Sequence, residues 1–394
     1  MSEVRSPLAE SFSLTRGGLF YRVQRLLGFA DERSGAIRRV LFGIAVTWLP
    51  LLILSFAQGV AYGNHLQIPF LRDFAVNLRF LVALPIVIVV ESSIDDEWRQ
   101  LVLHFLRSGL VQDPELPAFE AAIRRVIRLR DSIVPELILA AVACSSFLFP
   151  KPELLMENAS NWHTMGPGPN PGLSLAGLWF ILVSMPFFRF LVLRWTWRMG
   201  LWTLFLWRTS RIDLHLVATH SDLAAGLGFL AEGQWYFSPI VFALSIVIAS
   251  QAGNAIVYEG ATLAGMKFAL LGFGVVSTLA LAAPLLVTVP LLVRTKKRAI
   301  LDYGALVTRH NESFAAKWVD GSILKGDGIL GDPDPSSLID LASSFQLVQQ
   351  MHYVPINRLT LIYLALSAVL PMVVMMVLVT PAESLIGAVW KMVM

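Results

Sequence analysis

Long apolar segments recur along the chain, and they constrain its fold more than any other feature. A helix rises about 1.5 Å per residue, so about 20 apolar residues cross the roughly 30 Å hydrocarbon core of a bilayer. Seven segments meet or approach this length: residues 40–61, 74–94, 133–149, 173–193, 237–256, 268–293 and 359–379. The pattern predicts an all-α fold, a polytopic membrane helix bundle with seven transmembrane helices.

The composition agrees with a membrane location. Hydrophobic residues make up 56% of the 394 residues and charged residues only 15%, whereas a soluble globular domain carries roughly 25% charged residues. A disordered chain and a coiled coil are excluded by this composition, and a disulfide scaffold is excluded because Cys144 is the single cysteine. No platform of basic and aromatic residues is present, so the sequence predicts no nucleic-acid partner.

Basic residues are distributed asymmetrically around the predicted spans. With the N-terminus in the cytoplasm, most of the 31 lysine and arginine residues fall in cytoplasmic segments. Such an excess is typical of cytoplasmic loops, so the N-terminus is predicted inside and the C-terminus outside. Residues 1–39 then form a cytoplasmic segment, residues 40–380 the seven-span domain, and residues 381–394 a short extracytoplasmic tail.

Three cytoplasmic insertions, residues 95–131, 194–236 and 294–357, are long enough to contain helices. In the N-terminal segment, residues 19–27 form a basic amphipathic stretch that lies on the inner leaflet or docks on the protein's own cytoplasmic face. Apolar residues recur at helical spacing in the first and last insertions. These stripes are Trp98, Leu101, Val102, Phe105 and Leu106; Phe119, Ala122, Ile123, Val126 and Ile127; and Leu338, Leu341, Phe345 and Val348.

Four ionisable residues fall within predicted spans, where charge is costly and a functional role is the default hypothesis. Arg79 and Arg189 lie deep, so each should face the bundle and pair with an acceptor or line a hydrated path. Glu91 and Glu136 lie near the inner ends of their spans, where water would reach them, which favours anchoring. The mixture of arginine and tryptophan in residues 194–207 is typical of an interfacial belt.

The stretch that follows Arg211 combines acidic residues with two histidines. Asp213, His215, His220 and Asp222 form its polar positions. In the structural interpretation, the two aspartates fix the loop through Arg211 and backbone donors. Metal binding and proton sensing by the histidines are the alternatives, because these side chains are transition-metal ligands and histidine titrates near neutral pH. Asp222 or the serine before it is also predicted to cap a helix leading into the fifth span.

This stretch carries a resemblance to a known family. The pattern His-x-Asp-x-x-x-Gly-Leu-Gly-Phe-Leu at residues 220–230, with Val-Pro-x-x-Arg at residues 354–358, resembles a family of uncharacterised bacterial multi-pass inner-membrane proteins. The resemblance covers roughly the C-terminal half, and family members tend to have glycine where Ala225 stands. It implies a location in the bacterial inner membrane, and it implies no activity.

The topology suggests a first functional hypothesis. Seven spans with the N-terminus inside, and helical cytoplasmic segments before the fifth and seventh spans, are similar to the insect-chemoreceptor type of seven-helix ion channel. The chain has no clear counterpart of that family's C-terminal motif. The similarity implies a homo-oligomeric ion channel whose last span, residues 359–379, lines the pore, with Ser367 as its main polar interior group.

Two other hypotheses remain open. One is a secondary transporter with a site near Arg79 and Arg189 at the membrane midplane. The other is a membrane-bound metal-dependent enzyme that uses His215, His220 and Asp222. Motifs of nucleotide-binding proteins and of common hydrolases are absent from the sequence, so no enzymatic activity and no cofactor are predicted. The predicted partners are the lipid bilayer, an inorganic ion or small solute, and further copies of the chain.

Overall fold

The computed structural model of the chain describes residues 6–29, 35–63, 66–145, 161–165, 172–320 and 333–379. One short antiparallel hairpin pairs β1 (Thr164–Met165) with β2 (Gly172–Leu173). The main helices, in chain order, are α1 (Gly18–Leu26), α2 (Gly35–Ala57), α3 (Phe74–Arg107), α4 (Leu116–Arg130), α5 (Ile133–Cys144), α6 (Leu175–Thr209), α7 (Leu230–Glu259), α8 (Leu263–Trp318), α9 (Pro333–Gln350) and α10 (Arg358–Val379).

Helices α2, α3, α6, α7, α8 and α10 are long and apolar enough to cross a membrane. The all-α prediction is confirmed, and the length and composition of these helices agree with a polytopic bundle. They correspond to six of the seven predicted spans. The remaining predicted span coincides with α5, which is apolar but only 12 residues long. The end of that predicted span, residues 146–149, and the predicted tail, residues 381–394, lie outside the described residues.

Several long helices consist of more than one piece. The pieces are Gly35–Thr47 and Leu49–Ala57 in α2; Phe74–Leu78, Arg79–Ala83, Leu84–Ser93 and Asp95–Arg107 in α3; Leu175–Trp179, Phe180–Ser184 and Met185–Thr209 in α6; Leu230–Trp235 and Ser238–Glu259 in α7; and Leu263–Ala282, Ala283–Thr288 and Val289–Trp318 in α8. Short helical turns also occur at Pro7–Glu10, Phe70–Arg72 and Asp113–Glu115.

Three long helices are interrupted just before a proline. In α3 a π-helical turn, Arg79–Ala83, precedes Pro85, and in α6 a π-helical turn, Phe180–Ser184, precedes Pro186. In α8 the interruption is a 3₁₀ segment, Ala283–Thr288. Proline has no N–H group and its ring crowds the carbonyl group one turn earlier, so regular α-helical bonding is disturbed on its N-terminal side. The breaks follow from these local sequences.

Helices α3 and α6 also begin alike. The side chain of Asp73 caps α3 by accepting the Val76 N–H at 3.1 Å, and the Ser174 hydroxyl caps α6 by accepting the Gly177 N–H at 2.8 Å. Each cap is followed by five α-helical residues, five π-helical residues and then a proline after one further residue. These features occur in the same order and spacing, so the two spans share one local helical pattern and both run from the end that contains β1 and β2.

The bundle has two chemically different ends. At the hairpin end, which contains β1, β2 and the starts of α3 and α6, the Trp162 indole donates to Asp73 and the Trp162 carbonyl accepts from Ser174. At the basic end lie α1, α4, the last part of α3 and the loop between α6 and α7. The two predicted amphipathic stripes in the first insertion are buried there, which confirms their role in packing. The buried members are Trp98, Leu101, Val102, Phe105, Phe119, Ala122, Ile123 and Val126.

Helix α1 docks on the protein. The Phe20 N–H donates to Glu136 Oε2 on α5 at 2.9 Å, and the Arg194 guanidinium lies 4.3 Å from the centroid of the Phe20 ring. The structure therefore has the docked arrangement that the amphipathic pattern allowed. The outer side of the segment exposes apolar side chains, Leu19, Val23, Leu26 and Leu27, together with the charged side chains of Arg22 and Arg25.

Candidate functional site

A cavity of about 460 Å³ lies between α3, α5, α6 and α7, beside the π-helical turn of α3. Arg79, Arg189 and Gln251 contribute its polar groups. The rest of its described lining is apolar and consists of Val142, Met185, Phe188, Val192, Leu193, Leu244 and Val247. The two arginines predicted from their position in apolar spans, which come from different helices, thus line one cavity.

Arg79 is the first residue of the π-helical turn in α3 and is 3% exposed. Its Nη1 atom donates to the Met185 sulfur at 2.8 Å, and its guanidinium lies 6.0 Å from the centroid of the Phe180 ring. Phe180 begins the equivalent π-helical turn in α6. Arg79 therefore sits where the two repeated helix breaks meet, and π-helical turns occur frequently at functional sites.

Arg189 follows Met185 by one helical turn, so both residues lie on the same side of α6. Gln251 adds an amide from α7, so the polar groups of the lining come from three separate helices. Guanidinium groups bind carboxylate, sulfonate or phosphate oxygens by charge-assisted hydrogen bonds, and the apolar walls suit a hydrocarbon body. Chemically, the cavity is suited to a small organic anion.

A second polar cluster lies at the hairpin end, centred on the buried carboxylate of Asp73. Besides the Val76 N–H, this carboxylate accepts the Asn254 amide at 2.8 Å and the Trp162 indole N–H at 2.8 Å. These donors come from α3, from α7 and from the segment before β1. The Asp73 carboxylate therefore ties three separate parts of the hairpin end together.

His163, the neighbour of Trp162, lies between this cluster and the cavity. Its imidazole stacks on the Trp162 ring at 3.8 Å between centroids and lies 4.9 Å from the Phe180 ring. Both ring nitrogens are buried and neither has a hydrogen-bond partner in the described part of the chain. Burial lowers the pKa of His163 to about 4; the Asp73 carboxylate acts in the opposite direction, and the Arg79 guanidinium acts in the same direction as burial.

Glu91 and Glu136 do not have the water-exposed anchoring positions predicted for them. Both are buried, and their partners are two arginines of α6. Arg198 pairs with Glu91 in a direct hydrogen bond, whereas Arg194 lies 3.4 Å from Glu91 and 3.9 Å from Glu136. The anchoring prediction was wrong because the sequence does not show that α6 faces both carboxylates, and buried charges require such partners.

The predicted interfacial belt in residues 194–207 is wrong for most of its members. Arg194 and Arg198 are buried in the ion-pair network, and the Trp195 and Trp202 rings lie in the hydrophobic core. Trp207 is the exception, with 42% of its surface exposed. The segment is the inward side of a long helix that packs on α4 and α5, so aromatic and basic residues there serve packing and charge pairing.

The loop between α6 and α7 is organised by Asp222. Its carboxylate accepts the N–H groups of Ala224, Gly226 and Gly228 at 2.8, 3.1 and 2.7 Å. Partial burial raises the pKa of Asp222, but these three backbone bonds and the His220 side chain outweigh burial and leave the pKa below its ordinary value. The backbone-donor part of the structural interpretation thus agrees with the contacts of Asp222, whereas the Arg211 guanidinium lies 4.9 Å from the centroid of the Trp207 ring. No helix begins at this cap, however, because α7 starts only at Leu230.

The other polar residues of this loop do not converge on Asp222. His220 Nδ1 lies 2.9 Å from Asp222 Oδ1, whereas His215 contributes its backbone N–H to the Leu110 carbonyl at 2.8 Å and Asp213 is exposed. Within the described ranges, no three histidine, cysteine or acidic side chains come together as a metal site would require. The contacts around Asp222 therefore stabilise the backbone conformation of this loop.

Ser367, the polar residue of the last predicted span, bonds within its own helix. Its hydroxyl donates to the Leu364 carbonyl at 2.7 Å, and the next residue, Ala368, accepts a hydrogen bond from Ser245 of α7. Helix α10 packs mainly on α7 and also on α8. The Ser367 hydroxyl is therefore satisfied within α10, and Ser367 is not among the described residues that line the cavity.

The sequence did not identify Asp73, His163, Asn254 or Gln251 as candidate site residues. Each is a single polar residue at the end of a span or in a loop, where polar residues are common. One signal was available for His163, because it lies next to a tryptophan immediately before a Gly/Pro-rich segment. Their arrangement depends on contacts between residues far apart in the chain, such as Asp73 with Asn254.

Comparison of the chain with models of protein families, with curated proteins and with solved structures finds no match.

Proposed function

We propose that the chain is a secondary transporter of small organic anions, with its binding site in the cavity lined by Arg79 and Arg189. In this proposal the protein spans the bacterial inner membrane seven times, with α5 as the third span, the basic end in the cytoplasm and the hairpin end outside. The bias of basic residues toward one end supports the orientation.

The observation that carries the proposal is the cavity itself. Two guanidinium groups from α3 and α6 line a space of about 460 Å³ whose remaining walls are mostly apolar. Charged residues within membrane helices are costly, and they commonly mark a substrate or ion pathway. A ligand with one anionic group and an apolar body matches both kinds of wall.

The repeated helix breaks add a second line of support. Many transporters contain internal repeats, and they place the substrate near interrupted helices at the interface between repeats. Here Arg79 belongs to the π-helical turn of α3, and Arg189 follows the π-helical turn of α6. Movement at these breaks would change access to the cavity while α3 and α6 remain helical on either side.

The channel hypothesis has less support. From Leu359 to Leu378, every exposed side chain of α10 is apolar or aromatic. A conduction path along this face would offer a hydrated ion only the Tyr363 hydroxyl among its exposed side chains, whereas the same face is well suited to contact lipid. The described lining of the cavity, by contrast, comes from a single copy of the chain, so the proposed site does not depend on a contribution from a second copy.

Binding of benzenesulfonate tests the proposal, because this probe combines a permanent negative charge with an apolar ring. The protein in lipid nanodiscs should bind benzenesulfonate and not the neutral analogue benzenesulfonamide in calorimetry. Arg79→Gln and Arg189→Gln should each weaken binding at least tenfold, since each removes one charged contact. Arg298→Gln is the matched control because Arg298 is highly exposed on α8.

Val192→Trp provides a test that leaves both arginines in place. The larger side chain should fill part of the cavity and exclude the probe while the protein remains folded. Uptake of radiolabelled benzenesulfonate into proteoliposomes should then be lost in the same variants that lose binding. Equal binding of the neutral analogue, or unchanged binding in both arginine variants, would contradict the proposed site.

A further inference from the structure

We propose that His163 is a proton-binding site coupled to the anion cavity through Arg79, so that one proton is taken up when an anion binds. The inference rests on the proposed function, and it specifies an anion–proton symport for the same site. The observations that carry it are the buried imidazole without described partners, the Phe180 ring that both His163 and Arg79 approach, and the place of Arg79 in the cavity lining.

The geometry around His163 leaves its two nitrogens unsatisfied. The ring is 6% exposed and is held by aromatic contacts with Trp162 and Phe180. Its backbone is fixed as well, since the His163 N–H donates to the Asn161 side chain and its carbonyl accepts the Ser174 N–H at 2.8 Å. A buried polar group without a hydrogen-bond partner costs free energy of folding. The imidazole therefore has a role other than forming hydrogen bonds in the folded protein.

Among the described residues, Asp73 and Arg79 are the charged groups that act on His163. Asp73, at the start of α3, favours the protonated imidazole, and Arg79, five residues into the same helix, disfavours it. The contacts from the other packed elements are uncharged: Trp162 beside it, and Phe180 and Gly177 of α6. Protonation of His163 therefore depends on the charges close to it, and negative charge added beside Arg79 favours the protonated imidazole.

Arg79 is shared between the two sites. It lines the cavity, and its positive charge opposes protonation of His163. An anion bound beside Arg79 adds negative charge near His163, so the imidazole binds a proton more readily when the cavity is occupied. Coupling between two binding sites is reciprocal, so a protonated His163 must also strengthen anion binding by the same factor.

Asp73 has a different role in this scheme. Its carboxylate already accepts hydrogen bonds from Val76, Asn254 and Trp162, so it holds the ring on which His163 stacks. Asp73 is thus a positioning residue, and His163 is the residue that gains and loses the proton. No covalent step is involved, since the proton comes from solvent and returns to solvent after transport.

Proton uptake on anion binding tests the coupling directly. Benzenesulfonate keeps its charge throughout the experiment, so any proton that moves belongs to the protein. Titrations of the wild-type protein in nanodiscs at pH 5, in buffers of different ionisation enthalpy, should show net proton uptake. Benzenesulfonate affinity should also rise at least threefold between pH 7 and pH 5, as the reciprocal coupling requires.

His163→Phe separates the proton-binding role from a purely structural one. Phenylalanine keeps the aromatic stacking but has no titratable group, so the variant should still bind benzenesulfonate, without proton uptake and with little change in affinity from pH 7 to pH 5. His310→Phe on α8 is the control and should behave like the wild-type protein. Wild-type binding without proton uptake would overturn the coupling alone, whereas no binding at any pH would overturn the proposed function as well.

Discussion

Asp222 holds the loop between α6 and α7, and this loop connects distant parts of the basic end. The His215 N–H donates to Leu110 in the turn after α3, and the His352 N–H donates to the Leu223 carbonyl at 2.7 Å. Leu223 and Ala225 have positive φ angles of 54° and 55°, which cost about 1–2 kcal/mol each for residues other than glycine. The Asp222 carboxylate offsets this strain. Glycine at position 225 would adopt the same positive φ angle without this conformational cost.

Asp222→Ala should lower the free energy of unfolding by about 2–3 kcal/mol, because three loop N–H groups lose their acceptor. Asp213→Ala is the matched control, since Asp213 is exposed in the same loop, and it should change stability by less than about 0.5 kcal/mol. Denaturant titration in detergent measures both. The Asp222 contribution is present above its ordinary pKa of 3.8 and is lost as the pH falls through its lower folded value. Equal stability of the two variants would contradict this role.

His163 should make stability depend on pH in the absence of any anion. Burial lowers its pKa from 6.5 to about 4, so between these values the unfolded chain binds a proton that the folded chain does not. Stability should therefore fall as the pH falls from 6.5 to about 4, by about 3 kcal/mol at most. Melting temperatures of the wild-type protein and His163→Phe should be compared from pH 7.5 to pH 4.5, and the wild-type value should decrease relative to that of the variant as the pH falls. Parallel curves would show that His163 does not titrate in this range.

At the scale of elements, the segment before α1 is attached to the start of the last piece of α3. The buried carboxylate of Asp95 accepts the Ser13 hydroxyl and the N–H groups of Leu14 and Thr15 at 2.9, 3.0 and 3.1 Å, and Arg16 forms an ion pair with it at 3.3 Å. The Asp95 side chain thus fixes the segment just before α1, and this places α1 where it contacts α5.

Asp95→Ala should release this N-terminal segment while the membrane helices remain folded. We expect faster hydrogen exchange and faster proteolysis across residues 13–26, because the backbone N–H groups lose their acceptor and solvent gains access. Asp96→Ala is the matched control, since the neighbouring carboxylate is 67% exposed and makes only surface ion pairs. Protection of residues 13–26 that is the same in both variants would show that other contacts are sufficient.

The sequence predicts single elements better than it predicts the contacts between them. The apolar segments and the stripes around Trp98 and Phe119 were predictable because helical periodicity is a local property. Arg79 and Arg189 were also predictable as unusual residues, since charge is rare in a span. The partners of Glu91 were not, because Arg194 and Arg198 lie far away in the chain. Prolines mark where α3 and α6 are interrupted, but they do not specify that each interruption is a π-helical turn.

For the whole molecule, the two ends should lie on opposite sides of the membrane, and cysteine labelling measures this. Cys144 is exposed, so the background is Cys144→Ser. Gln112→Cys places a thiol at an exposed position of the basic end, and Glu259→Cys places one at an exposed position of the hairpin end. A membrane-impermeant maleimide applied to intact cells that lack an outer membrane barrier should label only the second variant.

Permeabilised cells provide the control, since both thiols should then react. This pattern follows from the bias of basic residues toward one end, which cytoplasmic loops typically show. Labelling of Gln112→Cys alone in intact cells would reverse the orientation. Labelling of both variants in intact cells would mean that the two ends, which α3 and α7 connect, do not lie on opposite sides of the membrane. It would also contradict the proposal that the cavity of Arg79 and Arg189 lies on a transport path across the membrane.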